Sequence, residues 1–266
     1  MIDALASAPH VIRREDYRAP DWQVPEIALD FDLDPAATRV TAVLNVERNG
    51  EHDRPLRLDG DGLAPLSVKV DGADAAYEMD GPTLVIALPG DAHVVETWVE
   101  IAPERNTQLM GLYASGGNLC TQCEAEGFRR ITFFPDRPDV LSKYRVKMTA
   151  DRTRFPVLLA NGDPVTSGEA ADGKHWAEWH DPFPKPCYLF ALVAGDLAAN
   201  RGTFTTLSGR EVQLGIWVRE KDLPKTDHAL HALKLSMAWD EKLYGREYDL
   251  DVFNIVAVDD FNFGAM

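Results

Sequence analysis

From Glu26 to about residue 195 the chain is repeatedly cut by an acid or amide followed by glycine. The pairs are Asp59-Gly60, Asp61-Gly62, Asp71-Gly72, Asp80-Gly81, Asn161-Gly162 and Asp172-Gly173. Such pairs supply the left-handed backbone that tight hairpins require. The segments between them are short, and several alternate in polarity. In EIALDFDLD the apolar positions are Ile27, Leu29, Phe31 and Leu33; in TRVTAVLNVER they are Val40, Ala42, Leu44 and Val46. A period of two places one face of a strand in a core and the other in water. Further strand segments are LSVKV, TLVIAL, VVETWVEI, ITFF, KYRVKMTA, FPVLLAN, KHWAEWH and CYLFALVAG. Many short strands with turns at this spacing predict a mainly β fold, a sandwich or a saddle-shaped double sheet.

After residue 195 the pattern changes. TFTTLSGREVQLGIWV reads as a hairpin around Ser208-Gly209. A helix is predicted from about Thr226 to Tyr244, with Thr226 as its cap, Asp227 in its first turn and Gly245 at its end. Leu230, Leu233, Met237 and Tyr244 give it an apolar face. A strand is predicted over Phe253 to Val258. This divides the chain into a β domain over 1–195 and a hairpin–helix–strand unit over 196–266. The second unit, about 70 residues, is too short to close a core of ordinary size.

Composition narrows the function. The 266 residues include 43 acidic and 27 basic side chains, for a net charge of −16. That balance argues against phosphate-based binding of nucleic acid, which needs clustered Lys and Arg. No run of about 18 apolar residues predicts a membrane helix, and the N-terminal stretch lacks a signal-peptide pattern. Three cysteines make no disulfide framework, so the cytoplasm is the expected compartment.

Few motifs carry chemistry. Cys120-Thr121-Gln122-Cys123 has the C-x-x-C spacing, but the YASGGNL before it reads as strand and turn rather than the helix start that lowers a thiol pKa. Cys187, His175 and His180 are the remaining zinc donors to consider, at no standard spacing. His228 and His231 lie at i, i+3 on the predicted helix, not the i, i+4 of H-E-x-x-H, and read as an exposed face. Trp176 and Trp179 read as core or sheet surface. Glu124 and Glu126, two apart, would share a face of an extended segment, where a carboxylate pair can hold a cation.

Three separated blocks carry a family resemblance: LYASGGNLCTQCEAEGFRRITFFPDRPDV (112–140), DPFPKPCYLFALVAGDL (181–197) and YDLDVFNIVAVDDFNFGAM (248–266). In this order they resemble the bacterial aminopeptidase N branch of the zinc-dependent gluzincin aminopeptidases, and the likeness runs from about Tyr17 onward. The resemblance implies a saddle-shaped N-terminal β domain followed by the start of a thermolysin-like α+β catalytic domain. It implies removal of single N-terminal residues from peptides. The family's loop G-A-M-E-N is matched by Gly264, Ala265 and Met266 only. Its H-E-x-x-H zinc motif, further Glu ligand and oxyanion-stabilising Tyr lie C-terminal to that loop, so the resemblance implies zinc in the complete enzyme and neither catalytic residue nor metal ligand within these 266 residues. The chain alone is therefore expected to be inactive.

By matched position, Glu124 corresponds to the glutamate that grips the substrate's α-ammonium, and Gln122 to a residue lining the pocket for the first side chain. Gly264 and Ala265 match loop positions whose backbone follows the peptide. Phe263 stands where the best-known bacterial members have Met, facing the same pocket. Cys123, between Gln122 and Glu124, would point away. The implied partners are peptides presenting a free N-terminus. The other function compatible with the sequence is a non-catalytic β-rich module that binds peptides or proteins.

Overall fold

The computed structural model describes residues 13–261 and Gly264. The strands up to the first long excursion are β1 (Trp22–Leu33), β2 (Thr38–Arg48), β3 (Leu56–Leu58), β4 (Ser67–Val70), β5 (Ala73–Asp74), β6 (Glu78–Asp80), β7 (Thr83–Ile86) and β8 (Ala92–Ile101). They are followed by β9 (Gly111–Ser115), β10 (Asn118–Gln122), β11 (Leu141–Asp151), β12 (Val157–Ala160), β13 (Asp163–Glu169), β14 (Lys174–Pro186) and β15 (Leu192–Gly195). The last stretch contains β16 (Ala198–Thr205), β17 (Glu211–Val218), helix α1 (Asp227–Tyr244) and β18 (Val252–Val256).

The fold is mainly β. One large sheet has the order β13-β14-β11-β1-β2-β8-β4-β5. Its pairings are antiparallel except where β1 meets β11 in parallel, from Glu26 opposite Lys143 to Leu33 opposite Ala150. The alternation in β1 and β2 is realised: Ile27, Leu29, Phe31, Leu33, Val40, Ala42, Leu44 and Val46 are all buried. Two smaller sheets, β12-β15-β10-β9 and β3-β7-β6, contribute Leu112, Leu119, Leu192, Leu56 and Leu84 to the same core. The filling is aromatic. Phe128 meets Phe134 and Phe190 edge-on at 5.2 Å each, and Tyr144 lies 5.9 Å from Phe190. Aromatic pairs in these geometries add to what area burial alone contributes.

A second cluster forms between β17 and α1 from Val212, Leu214, Ile216, Val218, Leu233 and Met237. Sheet β16-β17-β18 backs it, with β18 parallel to β17. No helix among the described residues is long and apolar enough to cross a membrane.

Several local expectations are corrected. ITFF is not a strand. Ile131, Thr132, Phe133 and Phe134 follow a short 3-10 turn and are buried on every side, with only a single bridge from Phe134 to Asp59. A continuous apolar run gives no period by which to tell buried strand from buried irregular chain. CYLFALVAG is a 3-10 turn, Cys187–Leu189, before the shorter β15. Thr226 sits at the cap position, but its hydroxyl donates to the Leu223 carbonyl at 2.7 Å and caps no helix N–H. Tyr244 is 63% exposed, and Glu241 is buried on the helix face instead. The last strand stops at Val256, two residues early.

Candidate functional site

The hairpin β9–β10 turns through Gly116 and Gly117, both at positive φ (54° and 92°). A Cβ on Gly116 would run into the Arg219 guanidinium and the Asp259 carboxylate, so the turn needs glycine for space as well as for backbone. β10 lies between β9 and β15, and every residue of it is buried. Gln122 ends the strand, opposite Gly111. It is fully buried, and neither its Nε2 nor its Oε1 has a hydrogen-bond partner among the described residues. An unmet buried amide is costly and rare in native folds.

The chain then leaves the sheet. Residues 124–127 form a turn closed by Gly127 N–H to the Cys123 carbonyl at 2.7 Å, and the Glu124–Ala125 peptide is cis. Glu124 and Glu126 therefore do not share the face of a strand. The expectation of a carboxylate pair fails because the segment is a turn. Glu126 instead pairs with Arg129 at 3.4 Å. Glu124 is exposed and carries no hydrogen bond or ion pair to the described residues.

Behind the turn lies a fixed polar network. The Arg129 backbone N–H and Nε donate to Asp136 Oδ2 at 3.1 and 3.0 Å, and Nη2 donates to the Asp136 carbonyl at 3.1 Å. The Cys187 thiol donates to Asp136 Oδ1 at 3.0 Å, and the Asp136 N–H donates to Asp59 Oδ2 at 3.1 Å. Burial raises the Asp59 carboxyl above its usual range. These groups fix the chain that follows the turn, and none of them engages Glu124.

The opposite wall is the chain that follows β18. It is hydrogen-bonded to Tyr113 and Ser115 of β9 and bounds, with β18, a cleft of about 480 Å³ that Cys120, Thr121, Leu192, Val193, Phe261 and Gly264 also line. Gln122 and Glu124 continue from Thr121 at the end of β10. The tertiary structure thus brings Gly264 to Cys120 and Thr121 of β10, across more than a hundred residues of sequence, while Gln122 and Glu124 are not among the residues lining this cleft. Phe263, Ala265 and Met266 lie outside the described residues.

The cysteines contribute no reactive group. All three are buried and free. Burial pushes the Cys120 thiol up to about 11, and those of Cys123 and Cys187 higher still, so none is a thiolate near neutrality. No group of three or more His, Cys, Asp or Glu among the described residues could hold a metal. His228 and His231 are exposed on α1. Trp179 is core, its indole N–H donating to the Leu158 carbonyl at 3.2 Å, while Trp176 is half-buried beside Lys147.

Sequence reasoning did not find Asp136, Arg129, Tyr113, Ser115 or Asp260 as site-forming residues. Each acts through a partner distant in sequence or through burial, and neither leaves a local pattern.

The family model of the peptidase M1 N-terminal domain matches residues 35–189. Aminopeptidase N of Caulobacter vibrioides is 54% identical over 261 residues, covering 97% of this chain and 30% of the relative. Aminopeptidase N of Escherichia coli is 51% identical over 263 residues, covering 98% and 30%. The crystal structure of Legionella pneumophila aminopeptidase A in complex with aspartic acid superposes with a TM-score of 0.89 at 34% identity, covering 94% of this chain and 30% of that one. The chain thus spans about a third of the length of these relatives.

Proposed function

Because the chain belongs to the M1 peptidase family, whose N-terminal domain it carries, we propose that it is the N-terminal part of an aminopeptidase that removes single residues from the free amino end of peptides. The observation that carries this reading is the end of β10. There an exposed carboxylate, Glu124, stands beside a fully buried amide, Gln122, neither with a partner among the described residues. A site for an α-ammonium needs an uncommitted carboxylate on a rigid support, and Arg129 and Asp136 supply the support. Gripping the amine fixes the first peptide bond one residue away, which is what separates an exopeptidase from an endopeptidase. By its matched position Gln122 is assigned to the pocket for the first side chain. Gly264, with Ala265 and Met266 after it and Phe263 before it, is the loop along which the peptide backbone runs.

In this reading residues 1–195 are the N-terminal β domain and 196–266 the start of a thermolysin-like catalytic domain; the two separate apolar clusters support that division. Zinc belongs to the complete cytoplasmic enzyme. The described residues do not fit it: their cysteines are buried neutral thiols and their acids and histidines form no cluster of three. The zinc ligands and the general base are then residues other than those described, and the 266-residue polypeptide by itself does not turn over substrate.

The test uses the complete gene product. Glu124→Ala raises KM for aminoacyl-nitroanilides by roughly ten- to a hundred-fold, the worth of a charge-assisted hydrogen bond. Nα-acetylated peptides are not cleaved. Equal cleavage of free and acetylated peptides would sink the reading. Chelator-sensitive turnover by the 266-residue polypeptide alone would overturn its inactivity.

A further inference from the structure

Once β18 ends, the chain leading to Gly264 is no longer held by a sheet ladder. The Ala257 N–H still donates to the Trp217 carbonyl at 2.9 Å. Beyond it, this segment is fixed chiefly by contacts with the β9–β10 hairpin. The Tyr113 hydroxyl donates to the Asp260 carbonyl at 2.7 Å. The Ser115 hydroxyl donates to Asp260 Oδ2 at 2.8 Å and accepts the Asp260 N–H at 3.1 Å. One residue earlier, Arg219 donates to the Gly116 carbonyl at 3.0 Å and to the Asp259 carboxylate.

The two sides of this contact are unequal. Tyr113 and Ser115 are buried in a strand paired along its whole length with β10, from Ser115 opposite Asn118 to Gly111 opposite Gln122. Asp259 and Asp260 are exposed residues of an irregular segment. The hairpin is therefore the reference and the Asp260 segment the part that is placed. The same hairpin delivers Gln122 and Glu124 at its far end. Any shift of the segment against β9 alters the cleft that Phe261 and Gly264 share with Cys120 and Thr121 of β10.

We propose that Asp260 is a positioning residue: through Tyr113 and Ser115 it sets where residues 257–261 and Gly264 lie against β9 and β10, and so the room left for the first side chain of a bound peptide. This specificity role rests on the aminopeptidase reading; the clamp itself rests only on the contacts above. A loop held by two or three hydrogen bonds from a rigid strand is tuned by them. Their loss lets the 257–261 segment sample several positions, which blurs discrimination between small and large first residues more than it weakens binding of either.

The experiment compares Ser115→Ala, Asp260→Ala and Asp260→Asn in the complete gene product. Two readouts are taken: amide hydrogen exchange over residues 257–261, and the ratio of kcat/KM for leucyl- over alanyl-nitroanilide. Ser115→Ala and Asp260→Ala are expected to speed exchange there by about ten-fold, the worth of a net hydrogen bond or two. They shift the ratio by at least about three-fold, a fraction of the roughly ten-fold or more that one methylene in a pocket is worth. Asp260→Asn keeps an acceptor for Ser115 and behaves like the parent. A purely structural role would lower both kcat/KM values in proportion and leave their ratio alone. Faster exchange with an unchanged ratio overturns the positioning role, and so does unchanged exchange. If both alanine variants fail to fold, Tyr113→Phe, which keeps the buried ring and loses one hydroxyl, carries the same test. A parent protein that cleaves neither substrate overturns the aminopeptidase reading and the specificity role with it, whereas a failed clamp leaves parent activity intact.

Discussion

Gly127 is packed against the carbonyl of Gln122: a Cβ on Gly127 would stand 2.6 Å from that oxygen, 2.9 Å from the Cys123 Cα and 3.0 Å from the Gly111 nitrogen. All three obstacles are backbone atoms of the hairpin that forms the candidate site. No side chain can swing aside to relieve them. The φ of Gly127 is ordinary, −85°, so space rather than conformation demands glycine here.

Gly127→Ala should therefore cost about 1–3 kcal/mol of stability, the usual penalty for overpacking. Urea unfolding followed by tryptophan fluorescence measures it. A variant as stable as the parent would show that the turn can move as a body.

Glu124 and Gln122 should respond in opposite ways. Glu124 is exposed and unpaired among the described residues, so Glu124→Gln should change stability by less than about 0.5 kcal/mol. Gln122 buries an amide with no partner among the described residues, so Gln122→Met should stabilise the fold by about 1 kcal/mol while weakening peptide binding. Thermal unfolding alongside KM for an aminoacyl substrate in the complete gene product checks both. Marked destabilisation by Gln122→Met would show that the amide is already satisfied.

Arg129→Met should be the most damaging of the set. It strips the cation from Asp136, whose side chain is 1% exposed, and an unpaired buried carboxylate costs about 3–5 kcal/mol. Asp136→Asn in the same molecule removes the charge and should recover part of the loss. Denaturation of the two single variants and the double variant gives the coupling between the two residues.

The thiols predict an alkaline weakness. Cys120 ionises near its ordinary 9.0 when unfolded and only at about 11 when buried. The native state thus favours the neutral thiol, its contribution is complete below pH 9, and stability is lost as the pH rises from 9 through 11. Cys123 and Cys187 act in the same sense. Unfolding midpoints between pH 8 and 11, compared with those of Cys120→Ala, reveal the slope. At pH 7.5 an aromatic disulfide reagent should label no thiol rapidly in the native protein and three after unfolding.

The sequence by itself determined the elements whose cause is local. The period of two in β1 and β2 fixed which residues enter the core, because a strand has only two faces. Asp71-Gly72 and Asp172-Gly173 fixed two hairpins, because all four residues adopt positive φ. Gly245 fixed the end of α1 in the same way. The residues at the end of β10 were legible by resemblance, but their state was not. Only the tertiary structure decided that Gln122 is buried without a partner, that Glu124 stands in a turn rather than a strand, and that Glu126 is spent on Arg129. Only it brought Asp260 to Ser115, 145 residues away. Periodicity and turn chemistry act over a few residues and can be read one segment at a time. Burial of an amide, pairing of a charge and the placing of a loop depend on atoms supplied by other parts of the chain, and those meet only when the sheets have packed.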